Sequence, residues 1–157
     1  MTNLQAVTLE QVQCFPTFLM KQTEQLFQLL DANIEAVEWH KVQVDRSYID
    51  IPSIIYNEMI HKVKITACSN IVKQQYYCLF SRHNEWQTRL NCLKKLYEID
   101  SLYNWAIPFL MLSTTDEHPA IRTLSRKILS TFDAREIERI SYKNIQFIKA
   151  IRLNGMK

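Results

Sequence analysis

Glycine occurs once in the 157 residues, at Gly155. Glycine reaches φ > 0 and allows close backbone approach without steric cost. Its near absence leaves little room for phosphate-cradling loops or tight left-handed turns, and it points to a chain held mostly in helices. Long apolar runs are also missing. The longest, Trp105–Leu112, contains Pro108 and falls far short of the ~20 residues that cross a bilayer. No Cys-x-x-Cys pair occurs. Cys14, Cys68, Cys78 and Cys92 are irregularly spaced, which disfavours both a zinc knuckle and a disulfide framework. Reduced, mostly buried thiols are expected instead. Met1–Val7 lacks a basic cluster followed by an apolar stretch, so no secretory signal is expected. These absences together predict a cytoplasmic or nuclear protein that is not secreted and has no transmembrane segment.

The charge that is present is segregated. Residues 1–60 carry three basic and eight acidic side chains, a net of −5, whereas residues 118–157 carry nine basic and three acidic, a net of +6. The formal charge of +3 over the whole chain is too small to imply nucleic acid. Its segregation is what raises the question of a charged partner.

Local signals favour helices. Thr8-Leu9-Glu10-Gln11 has the form of a capping box, opening a short helix ended by Pro16. A second helix is predicted from Thr17 to about Asn33. Residues 34–51 read weakly and are assigned as an uncertain link. Asp50 and Pro52 are placed to open a long helix running to Phe80, with Ser69-Asn70 as a plausible break. Asn84-Glu85-Trp86-Gln87 starts another, Asp100 or Ser101 a further one bent at Pro108, and Thr115-Asp116 precedes one with Pro119 in its first turn. Asp133 and Glu136, with Phe132 and Ile137 as a staple, open a helix over 133–153. The expected fold is one all-α domain over 1–157, a compact irregular bundle of five to seven helices. An echo at an offset of 33 keeps an alternative open: Arg89, Cys92 and Leu96 match Arg122, Ser125 and Leu129. This texture, covering about residues 85–132, resembles that of HEAT-type repeats, which implies a short array of helical hairpins.

The strongest functional candidate is the segment 133–153. At 100° per residue, Ile137, Ile140, Phe147, Ile148 and Ile151 fall within an arc of about 100°. Arg135, Arg139, Lys143, Lys149 and Arg152 lie mostly away from it, and Arg122 and Arg126 on the preceding helix enlarge the basic surface. Ile137, Ile140, Ile148 and Ile151 are therefore candidate interface residues, with Tyr76, Tyr77, Trp86 and Trp105 as aromatic anchors. The zinc-compatible donors Cys68, Cys78, His83 and Cys92 lack ligand spacing, and Glu58-x-x-His61 has no second copy to build a di-iron site. No metal or cofactor is expected. His40, His83 and His118 have no neighbouring nucleophile. The sequence therefore predicts a noncatalytic interaction or assembly adaptor with a protein partner, self-association included. A nucleic-acid accessory protein using the basic helix is the alternative, and a small helical enzyme ranks third.

Overall fold

The computed structural model describes residues 5–8, 11–30 and 33–155. It is mixed α/β, and four strands overturn the all-α expectation. Strand β1 (Gln5–Thr8) pairs antiparallel with β2 (Asn33–Ala36), and β3 (Trp39–Val44) with β4 (Ser47–Pro52). The segment assigned as an uncertain link supplies three of them. There Ile34 and Ala36, Val42 and Val44, and Ile49 and Ile51 are buried while the residues between them are not. That period of two, rich in β-branched residues, is the strand signature. The β3–β4 turn at Asp45-Arg46 contains no glycine; Asp45 itself takes the left-handed conformation, φ 52°.

Pro52 closes β4 rather than opening a helix. The chain then runs irregularly to His61, whose Nδ1 accepts from Val63 N–H and caps the short α2 (Lys62–Thr66). Helix α3 (Asn70–Phe80) starts at the Ser69-Asn70 break, where Ser69 is its N-cap. The remaining helices are α1 (Met20–Leu29), α4 (Trp86–Tyr97), α5 (Ile107–Ser113), α6 (Pro119–Leu129), α7 (Ala134–Lys143) and α8 (Ile145–Gly155). Pro108 sits in the first turn of α5, where it starts the helix instead of bending it. At the first capping box, Gln11 Oε1 does accept from Thr8 N–H at 2.9 Å, but Thr8 ends β1; Leu9 and Glu10 lie outside the described residues.

Helices α3 and α4 form one packed hairpin and α5 and α6 another, with α4 against α6 and α1 against α3. Several of these helices end on hydroxyl residues. Ser81, Thr114, Ser130 and Thr131 each donate to the carbonyl three residues back, at 2.6 Å in all four cases. These bonds satisfy terminal carbonyls that a glycine C-cap often serves.

Two-stranded sheets are marginal alone and their edges need partners. Two buried asparagines provide them. Asn57 accepts from Glu35 N–H (2.8 Å) and donates to Asn33 C=O (2.8 Å) along β2. Asn144 accepts from Gln43 N–H (2.7 Å) and donates to the C=O of the same residue (2.8 Å) on β3. It also donates to Ile140 C=O at 2.7 Å. With φ −130° and ψ 56°, Asn144 interrupts the helix expected over 133–153 and divides it into α7 and α8, both packed on β3. One hydrophobic cluster runs from Val42 and Ile49 in the hairpin through Phe80, Leu93 and Phe109 to Ile140 and Phe147.

Asn144→Ala removes three hydrogen bonds and leaves the Gln43 edge open. It is expected to lower unfolding stability by about 2 kcal/mol in denaturant titrations. Ile140→Asp places a carboxylate in the core and is expected to cost about 3–5 kcal/mol in the isolated chain, read from thermal or urea melts.

Candidate interaction surface

The basic side chains of the C-terminal third fall into two groups. In the first, the charge is already engaged. Asp133 caps α7 through Arg135 N–H (2.9 Å) and binds the Arg135 guanidinium at 3.1 Å, which holds its carboxyl below the usual range. Glu136 does not reach back to the cap; it binds Arg139 at 2.9 Å and Asn104 at 3.1 Å. Arg122 donates to the carbonyls of Asp116 and Glu117. The second group is Arg126, Lys143, Lys149 and Arg152. All four are exposed, with no carboxylate within 4.0 Å among the described residues. Lys127, beside Arg126, lies over the Tyr97 ring at 5.1 Å.

The isoleucines of this region turn inward. Ile140 is buried, and Ile137, Ile148 and Ile151 are half-buried against the chain's own core. The apolar side chains that remain outside are different ones: Tyr142, 83% exposed, Leu153, 64%, and Ile145, 57%. On α8, Ile145, Lys149, Arg152 and Leu153 share an arc of about 100°. Apolar and cationic groups thus share one solvent-facing stripe, with Lys149 and Arg152 between Ile145 and Leu153. Reading 133–153 as one continuous helix hides it, because the angular register changes at Asn144.

Of the aromatic candidates, Tyr76 is buried and stacked on Phe80 (centroids 4.4 Å apart), with Tyr77 half-buried edge-on to it. Trp105 is buried against Phe15 and Tyr103. Only Trp86 presents a large open face. It is 42% exposed and stacks on His118 at 4.3 Å, 16° from parallel. These two residues stand at the N-terminal ends of α4 and α6. Met59, 59% exposed, meets α4 elsewhere, its Sδ 3.3 Å from Oγ1 of the buried Thr88, which faces away from Trp86 on the helix.

Beneath this shelf, Arg89 donates one guanidinium nitrogen to the carbonyls of His83 and Asn84, six and five residues upstream. Arg122 makes the same contacts six and five residues upstream of itself. The 33-residue echo therefore has a physical content: an arginine in the first turn of α4 and of α6 ties down the loop before it. The rest of the Arg89 fork grips Asp116 at 2.7 and 3.1 Å, joining the α3–α4 and α5–α6 loops through a buried ion pair. A Cβ on Gly155 would stand 3.6 Å from Thr115 Cγ2, so α8 ends beside the α5–α6 loop.

The leads toward catalysis disperse. Residues 57–61 are not helical, and Glu58 and His61 are both exposed, the latter serving as a cap. His83 binds Asn57 C=O at 2.8 Å through Nε2. Cys14, Cys78 and Cys92 are buried, and burial raises each thiol above its ordinary pKa, Cys92 to about 12. A His40–Ser53 contact, 2.8 Å from Nε2 to Oγ, has no local sequence signal, because only the β3–β4 pairing brings the two together. The Phe147 ring covers His40 at 5.7 Å. Arg82, half-buried, donates twice to Ser53 C=O and once to Ser113 Oγ, and desolvation lowers it to about 10. Among the described residues, no carboxylate is hydrogen-bonded to His40 as in a catalytic triad. A groove of about 980 Å³ lies between α1 and the β3–β4 hairpin and includes Glu24, Lys41 and Asp50. Asp50 is engaged there by Gln13 N–H.

Among the described residues, no three His, Cys, Asp or Glu side chains gather closely enough to hold a metal ion, and no helix is long and apolar enough to cross a membrane. Compared with known proteins, the chain matches no family model, no curated protein and no solved structure.

Burial, chiefly, holds His40 below the ordinary histidine value, with Arg82 acting in the same direction and Glu38 against it. The unfolded chain therefore takes up the proton first on acidification. Stability from this site is full above the ordinary value of about 6.5 and falls as the pH drops through it toward the lower folded pKa. The loss of melting temperature between about pH 7.5 and pH 5 is expected to be smaller in His40→Gln than in wild type.

Proposed function

We propose that this protein is a noncatalytic interaction or assembly adaptor that docks a protein partner on the α7–α8 stripe. The single observation that carries this reading is the row of Tyr142, Ile145 and Leu153, exposed among the unpaired cations Lys143, Lys149 and Arg152. Isolated surface apolar groups need no explanation, but exposed apolar groups set among unpaired cations on one helix face have the composition of a docking site. The clamp from Asn144 to β3 supports it further by fixing the stripe on a rigid base. The four free cysteines, three of them buried, agree with a reducing compartment, cytoplasmic or nuclear.

Phosphate binding is the competing use of the same cations. Arg135 and Arg139 are committed to Asp133 and Glu136, and Arg122 to backbone carbonyls. That removes three of the seven cations on which the nucleic-acid alternative relied, while the apolar members of the stripe contribute nothing to a backbone contact.

A photo-crosslinking side chain placed at Tyr142 or Ile145 is expected to trap a protein in cells, while the same group at Ile54, exposed beyond the hairpin, is not. Equal trapping at all three positions, or recovery of nucleic acid alone, would remove this reading.

A further inference from the structure

The geometry points to a second copy of this chain as an occupant of the stripe, its shelf of Trp86 and His118 receiving the α8 residues Lys149, Arg152 and Leu153. This deepens the docking role proposed above and rests on it. The argument begins with the shelf. It is flat and aromatic: Trp86, 42% exposed, stacks on the half-buried His118 at 4.3 Å. Each is preceded in sequence by an exposed carboxylate, Glu85 and Glu117; the Glu117 side chain is 93% exposed and reaches Arg89 only at 4.0 Å. The neighbouring cations are occupied. Arg89 is buried and paired with Asp116, and Arg122 is bound to backbone carbonyls. The shelf is therefore an apolar surface with an acidic rim, and the stripe is an apolar surface with a basic rim.

Complementary charge around apolar centres is how specific partners recognise one another and reject others. Position adds to this. Gly155, at the end of α8, stands beside Thr115 in the loop that carries Glu117 and His118. Stripe and shelf are thus neighbours on one molecule. A two-fold axis lets each α8 lie on the partner's shelf, making the contact twice and closing the assembly at two chains. Size sets the strength. Helix α8 has 11 residues, about 16 Å at 1.5 Å per residue. Even two such contacts fall at or below the ~800 Å² per partner of a standard interface. A weak, salt-sensitive dimer is the expected product, with electrostatics deciding its register.

Light scattering on size-exclusion eluates of the full chain tests this. At hundreds of micromolar the mass is expected to rise toward twice 18.7 kDa at about 50 mM salt and to return to the monomer at about 500 mM. Two charge-swapped variants, K149E/R152E and E85K/E117K, are each expected to stay monomeric, because each faces like charge at both contacts. Mixed together they are expected to form a heterodimer, because every contact then joins opposite signs. Far-UV circular dichroism and melting curves check that both variants fold, and L153D, which leaves the rim charges in place, is expected to weaken the wild-type dimer. A wild-type chain that remains a monomer at low salt overturns the inference, as do variants that still dimerise alone or a mixture that fails to associate. If such a monomer nevertheless crosslinks another protein through Tyr142 or Ile145, the second-copy assignment fails while the docking role stands.

Discussion

Side-chain carboxamides take the place of missing strands in this protein, and the arrangement of its parts depends on that substitution. An asparagine amide presents one acceptor and two donors, enough to complete the N–H and C=O groups at a strand edge. Asn57 does this for β2 and Asn144 for β3. The second case has the wider reach, because the same residue ends α7 and begins the turn into α8. Sheet edge and helix direction are settled by one side chain. Without it the hairpin would present an open edge to other chains, and the stripe of α8 would lose its base.

A parallel economy operates in the loops. With a single glycine and one described non-glycine residue at positive φ, Asp45, the chain seldom ends a helix in the left-handed conformation. It relies on hydroxyl groups that fold back onto terminal carbonyls and on arginines that reach into the following or preceding turn. Arg89 is the centre of this system. Four of its five donors engage two carbonyls of its own loop and both oxygens of Asp116 in the next. A buried guanidinium holds its charge only with such partners, so the pair fixes the spacing of the two loops that carry Trp86 and His118.

Signals confined to a few consecutive residues were legible in the sequence. Asp133 as the N-cap of α7, Pro119 in the first turn of α6 and the break at Ser69-Asn70 all depend on neighbours within one turn. The offset of 33 was visible too, although its meaning, arginines bound to the carbonyls six and five residues upstream, needed coordinates. The strands were missed because their period of two extends over only four to six residues, in a stretch whose aromatic and charged residues disguise it. Pro52 and Pro108 were misplaced for a related reason: proline marks a boundary without saying which element it bounds. The split at Asn144 depends on Gln43, 101 residues away, and no local pattern announces it. The exposed stripe shared that fate, since its register is counted from the break.

The hydroxyl-ended helices bear on kinetics. Loops that must order themselves when a partner arrives slow the encounter and subtract conformational entropy from the affinity. Here Ser81 and Thr114 already hold terminal carbonyls of α3 and α5 in place, at the start of the loops that lead to Trp86 and His118. Association of such surfaces proceeds as a meeting of near-rigid bodies. In the proposed dimer the rate would then be governed by how far the opposed charges reach through the solvent rather than by any refolding of the chain.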